Sequence, residues 1–212
     1  SPAPGDVVHA YGRDATLDAI RAALPAGVGF VGHGAGFGVA VLERARPTLV
    51  AALVRDVIAF DQRGCLSPRV VLTLGDEADA IALGEALDVA LADAAARVPV
   101  GAVEPAERAA VRAYLDASTM TGASFASVGV DVAPRALVLP PGPRVLHVAR
   151  AASVEHALAL VRPVAHAITS LGGDGPLATA LAATLTGARV AALGAMQRPP
   201  LDGPVDLRPP RP

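Results

Sequence analysis

The stretch RVVLTL (69–74) carries a continuous apolar run rather than an apolar/polar alternation. A strand of that kind has to be covered on both faces, and helices are what cover it in a parallel sheet. Helical runs stand on either side of it. PTLVAALVRDVIAF (47–60) opens on a proline suited to a first helical turn, and DEADAIALGEALDVALADAAARV (76–98) is long and alanine-rich. The alternation extends in both directions. DVVHAYG (6–12) and VGFV (28–31) read as strands around a helix RDATLDAIRAAL (13–24), capped by Asp14 or Thr16. A helix EPAERAAVRAYLDAS (104–118) precedes strands ALVL (136–139) and RVLHVA (144–149). A helix at 153–162, a strand near 166–170, a helix at 174–186 and a strand ARVAAL (188–193) complete the series. The pattern predicts an α/β fold, a largely parallel sheet flanked by helices. The closing RPPLDGPVDLRPPRP (198–212) has too many prolines for a helix or central strand, and reads as an extended surface arm or a disordered tail.

Composition narrows the function classes. Hydrophobic residues make up 52% of the 212, enough for a sizeable core, with the alanine, arginine and proline bias of a GC-rich bacterial genome. A net charge of -2 gives no electrostatic case for nucleic acid or an anionic membrane. No apolar run reaches the ~18 residues that span a bilayer, and the start has no signal-peptide layout. One cysteine cannot form an internal disulfide, which fits a reducing cytoplasm. The opening SPAPGDVVHAYG has no initiator methionine and enters a strand at once, so the chain reads as a fragment of a longer protein or a processed product.

That cysteine, Cys65, lies in FDQRGCLSPRVV (60–71), between a helix and a strand. A free cysteine is most often a small buried apolar group. Three features favour a reactive thiol instead. Gly64 lets backbone approach a substrate closely and supports an unusual φ, the position is a loop on a rigid scaffold, and Arg63 and Arg69 supply positive charge that favours a thiolate. The negative end of the preceding helix works against it. Gln62 and Ser67 are polar loop residues that either orient the loop or meet a substrate. Of the histidines, His33 alone stands in a glycine-rich stretch, GHGAGFG (32–38), and is the candidate base. His9 ends a strand and is intermediate. His147, His156 and His166 read as structural or solvated. GHGAGFG itself lacks the third glycine and the helix start of a dinucleotide fingerprint, with VRDVI (54–58) where its acid is expected, so it reads as a backbone loop for close approach to a ligand.

RDVIAFDQRGCLSP (55–68), with VGHG (31–34) upstream and GAMQRPPLDG (194–203) near the end, resembles the LuxC-type acyl-CoA reductase branch of the aldehyde dehydrogenase superfamily. Enzymes of this branch make long-chain aldehyde for bacterial bioluminescence and related pathways. The resemblance covers nearly the whole chain, as a C-terminal catalytic half. It implies an aldehyde dehydrogenase-like catalytic domain over 26–197, a remnant of the end of a nicotinamide cofactor domain over 1–25, and the proline-rich tail over 198–212. It implies Cys65 as the nucleophile that takes an acyl group from a fatty acyl-CoA or acyl-carrier protein. Gly64 and the Cys65 N–H would serve the oxyanion, and NADPH or NADH would be the reductant, bound mainly by a domain absent from this chain. His33 precedes Cys65 by 32 residues, close to the base-to-nucleophile spacing of the superfamily. HAYGRDATL (9–17) resembles the final strand-turn-helix of the cofactor domain, making Gly12, Arg13 and Asp14 cofactor-side candidates. Acyl-transfer partner subunits and a homo-oligomer follow for the intact protein; no metal site is implied. Two departures stand out. LVLPPGPRV (137–145) lacks the glutamate that precedes Phe-Gly-Pro in aldehyde-oxidising members, and PPLDG lacks the tryptophan and histidine expected near it. Reduction of acyl phosphates or short acyl-CoAs, a non-catalytic docking domain and a thiol-dependent thioesterase are the competing readings.

Overall fold

In the computed structural model, which describes residues 1–209, strands and helices alternate through most of the chain. First come β1 (Val7–Tyr11), α1 (Asp14–Ala23), β2 (Gly29–His33), β3 (Phe37–Val41), α2 (Pro47–Ile58), β4 (Pro68–Thr73) and α3 (Glu77–Arg97). There follow α4 (Pro105–Ser118), β5 (Gly122–Ser124), β6 (Val128–Asp131), β7 (Leu146–Arg150), α5 (Val154–Val161), β8 (Ile168–Gly172), α6 (Gly175–Thr184) and β9 (Arg189–Ala191). Seven strands form one sheet in the order β5-β6-β7-β4-β3-β8-β9. Its pairings are parallel except β5 against β6. This is the α/β architecture expected from the sequence.

The run at 69–74 forms β4, in the middle of that sheet. Successive side chains point to opposite faces. Val70 and Leu72 join the core under α5 and α6, while Val71 joins the core under α2 and α3. All three are fully buried, each contributing about 1.5–3 kcal/mol. Helix α3 starts with a reciprocal cap, in which Asp76 and Asp79 each accept the other's backbone N–H. Among the described residues no helix is long and apolar enough to cross a membrane.

Five expectations need correction. ALVL (136–139) forms no strand. Prolines 134, 140 and 141 surround it, and VGVD of β6 takes the place beside β7. Conversely Phe37 and Gly38, read as the end of the glycine-rich loop, open the wholly buried strand β3, FGVAV. Its glycine is there for contact: a Cβ on Gly38 would stand 2.7 Å from the Leu66 carbonyl oxygen. Neither Asp14 nor Thr16 caps α1, because Arg13 occupies the cap position without a side-chain bond. The boundary expected after residue 25 cuts through a unit, since β2 pairs with β1 in a separate two-stranded parallel sheet. Finally, the tail is exposed over 200–204 as expected of a surface arm, but it docks at two points beyond that. Asp206 and Arg208 are only 5% and 9% exposed, because their charges find partners inside the molecule. Residues 210–212 of that expected tail lie outside the described residues.

Candidate active site

The cysteine loop begins where α2 stops. Phe60, Asp61 and Gln62 take left-handed conformations at φ 52°, 51° and 59°, a cost of roughly 1–2 kcal/mol each for residues with a Cβ. Side chains hold the turn. Asp61 accepts the Gly101 N–H at 3.0 Å and pairs with Arg144 at 2.5 Å. Gln62 has no exposed surface. It donates to the Pro68 and Val145 carbonyls at 2.7 and 2.9 Å and accepts the Val145 N–H at 2.9 Å. Gln62 is therefore a cross-link between the loop, the start of β4 and the approach to β7, and it is not on the cleft wall. Replacing it with alanine leaves three buried backbone groups unsatisfied, an expected loss of about 2–4 kcal/mol. Thermal unfolding of Gln62→Ala checks this; an unchanged Tm removes Gln62 from the loop's supports.

Ser67 is likewise buried, accepting from Gln197 Nε2 at 2.9 Å and donating its N–H to the Gly64 carbonyl at 3.0 Å. It shapes the loop and faces no cleft. Gly64 is not at a left-handed φ; the unusual φ values fall on the three residues Phe60 to Gln62. A Cβ at Gly64 would stand 3.1 Å from Gln197 Oε1. The loop is pinned again where β8 begins: Thr169 Oγ1 donates to the Cys65 carbonyl, and Ser170 Oγ donates to the Leu66 carbonyl at 2.8 Å.

Cys65 is half-buried and opens on a cleft of about 540 Å³ at the amino ends of β3 and β4. Gly64, His33, Gly12, Arg13, Arg63, Arg69 and Asp206 share that cleft. Asp14, the first residue of α1, is not on its wall. His33 closes β2 and is buried. Its ring stacks on Tyr11 at 4.3 Å and 9°, with His9 beyond at 5.8 Å and 18°. His33 Nδ1 lies 3.4 Å from Asp206 Oδ2, and Nε2 lies 3.5 Å from His9 Nδ1.

Nothing in the sequence marks Asp206 or Arg208, and nothing there separates Asp206 from Asp202 in a proline-rich stretch. Arg208 binds both Asp206 oxygens, at 2.9 and 2.7 Å, and donates to the Gly34, Ala35 and His166 carbonyls at 2.8, 3.1 and 3.2 Å. Burial pushes the Asp206 carboxyl up, but the Arg208 hydrogen bonds and charge, with His33, outweigh it and hold the carboxyl below its ordinary value. The thiol moves the other way. Burial raises Cys65, and the Asp206 charge adds to this, against partial relief from Arg208 and the backbone N–H groups of Cys65 and Leu66. The guanidinium that favours the thiolate is thus Arg208 rather than the expected Arg63 and Arg69. Arg63 is turned to Glu107 at 3.2 Å, and Arg69 to the Pro140 carbonyl at 2.9 Å. Burial and the Asp206 charge thus both favour the protonated thiol.

The other histidines stand off the cleft. His147 is buried against the Tyr114 hydroxyl at 2.9 Å, and burial pulls it down to about 4. His156 bonds the Ala152 N–H and the Pro134 carbonyl, and His166 is exposed.

The family pattern of acyl-CoA reductase (LuxC) matches residues 3–206. The chain belongs to the LuxC acyl-CoA reductase family. No curated protein matches it. Among solved structures it is similar to an NAD-dependent aldehyde dehydrogenase from Burkholderia multivorans (TM-score 0.60, 13% identity, 90% of this chain and 41% of that one). It is similar also to aldehyde dehydrogenase 21 from Physcomitrella patens, in complex with succinate (0.58, 9%, 88% and 44%). A third is NADP-dependent glyceraldehyde-3-phosphate dehydrogenase from Bacillus halodurans, complexed with NADP (0.57, 19%, 88% and 44%). At these identities the likeness establishes the aldehyde dehydrogenase fold for this LuxC-family chain. The chain spans less than half the length of each of these structures.

Proposed function

We propose that this LuxC-family chain is the catalytic part of a nicotinamide-dependent reductase that converts a long-chain fatty acyl-CoA or acyl-carrier thioester to aldehyde through an acyl group on Cys65. The observation that carries this is the meeting of a half-buried thiol and a histidine on one cleft, at the amino ends of the sheet, in a chain of this family. Cys65 attacks the thioester carbonyl, the Cys65 N–H meets the developing oxyanion, and the donor thiol leaves. His33 takes the thiol proton. A thiolate is also a good leaving group, so Cys65 can depart from the reduced carbon.

The residues present fit a nicotinamide cofactor at one corner. Gly12 and the exposed Arg13 line the cleft where α1 begins without a side-chain cap, a positive end suited to cofactor phosphate. Asp14 belongs to the same turn. When bound, that cofactor supplies hydride to the acyl carbon. The stretch at 137–145 brings the Pro140 carbonyl to Arg69 and carries no carboxylate toward the cleft, which favours reduction of acyl groups over ordinary aldehyde oxidation. NADPH as reductant, a cofactor domain preceding β1, acyl-transfer partner subunits, a homo-oligomer and a reducing cytoplasm belong to the same reading.

Incubating the intact protein with tetradecanoyl-CoA and measuring its mass tests this: one acyl group on Cys65, released as aldehyde when NADPH is added, is the expected result. Equal or faster turnover of acetyl-CoA or an acyl phosphate would transfer the reading to short or phosphorylated donors. Release of fatty acid with no NADPH consumed would make the site a thioesterase.

A further inference from the structure

A nucleophile and a base need no third group, yet a carboxylate from far along the chain is buried against the base. Asp206 Oδ2 stands 3.4 Å from His33 Nδ1, and Arg208 holds that carboxylate through both oxygens. A carboxylate at Nδ1 keeps the ring proton on that nitrogen and leaves Nε2 as the acceptor. On the Nε2 side stands His9 Nδ1, 3.5 Å away, on an exposed side chain of β1. Tyr11, flat against the His33 ring, restricts its rotation. The buried base therefore has a carboxylate at one nitrogen and a path to water at the other.

We propose that Asp206, His33 and His9 form a proton relay for Cys65: Asp206 positions His33, His33 Nε2 receives the thiol proton, and His9 passes it to solvent. The relay rests on the reading of Cys65 as nucleophile. In the step, the Sγ–H bond breaks and its proton goes to Nε2. The sulfur pair forms the bond to the acyl carbon while the carbonyl pair moves to oxygen. When that pair returns, the bond from the acyl carbon to the donor atom breaks and the donor leaves with the electrons. Gaining the proton turns Nε2 from acceptor to donor, facing His9. The charged and titratable groups around the ring are Asp206 with Arg208 behind it, His9 from β1, and Arg13, Arg63 and Arg69 on the cleft wall.

Two reactions of the intact protein separate the roles. Alkylation by iodoacetamide reads the thiolate fraction of Cys65. The nitrophenolate burst from para-nitrophenyl hexanoate reads acylation of Cys65 without recognition of CoA, so the relay is tested even if acyl-CoA is no substrate. Asp206→Asn removes a negative charge that disfavours the thiolate, so alkylation is expected to speed up several-fold. The burst is expected to slow by about 10–100-fold, since the base is no longer held. Both rates rising would reduce Asp206 to a charge effect, and both falling would reduce it to a support; either overturns the relay. Should Asp206→Asn fail to fold, the exposed His9→Gln decides. Its burst is expected to slow about tenfold with KM unchanged and to recover with imidazole in the buffer; a wild-type burst without imidazole overturns the proposal.

Discussion

Replacing Cys65 with alanine in the intact protein is expected to lower aldehyde formation by a factor on the order of 10⁴ or more, with little change in Tm. The asymmetry follows from how the loop is held. Thr169 bonds the Cys65 carbonyl, Ser170 bonds the Leu66 carbonyl, and Gln62 ties the loop to β4 and to the approach to β7. None of these contacts uses the thiol, so losing a half-buried sulfur costs about 1 kcal/mol or less. Cys65→Ser is expected to fail as well, because an alkoxide forms less readily than a thiolate and leaves the reduced carbon less readily. The check is NADPH-dependent aldehyde release, with acylation followed by mass. Wild-type aldehyde formation in Cys65→Ala would leave the chain a docking or assembly domain that keeps the fold.

The second large effect is expected on stability. Arg208→Ala leaves the Asp206 carboxylate buried without its partner and strips the Gly34, Ala35 and His166 carbonyls of a donor. Breaking a buried pair from one side costs about 3–5 kcal/mol, or roughly 10 °C in Tm for a chain of this size. The sign of its pH dependence is fixed. In the wild type Asp206 is held below its ordinary value, so its stabilisation is present above the unfolded value of ~3.9 and fades as pH falls through the folded value. Without Arg208, burial governs and the folded carboxyl rises above the unfolded value, so stability is lost as pH climbs past it. Unfolding compared at pH 7 and near pH ~4 should therefore show the larger deficit at pH 7. A deficit independent of pH would mean that Arg208 acts through the three carbonyls alone. Loss of Arg208 also removes a charge that favours the Cys65 thiolate, so alkylation should slow.

The sequence revealed the elements whose own pattern specifies them. β4 is legible because a continuous apolar run has no other home, and α3 because its capping acids and alanines agree over its whole length. β3 is hidden by its neighbours, since Gly38, which lets it press against the Leu66 carbonyl, looks like one more loop glycine before the contact is known. ALVL misled in the opposite sense: its residues favour a strand, but the flanking prolines deny it a ladder. In the site, the loop position of Cys65 and the glycine setting of His33 are local signals, and both residues line the cleft. Asp206 has no local signal. What brings it to His33 is the tertiary partnership of Arg208 with carbonyls before β3 and β8, which no spacing encodes. Gln62 illustrates a related limit, because a polar loop residue looks the same whether it meets a ligand or stitches two strands.

The order in which the cleft residues occur along the chain also bears on synthesis. Cys65 and His33 emerge from a ribosome well before Asp206 and Arg208, by an interval on the order of ten seconds at ordinary elongation rates. Until that late pair docks, the nascent polypeptide carries His33 without the carboxylate that stands at its Nδ1. Translation that stalls in between would thus release a product that has the thiol and the imidazole but lacks the Asp206 wall of the cleft.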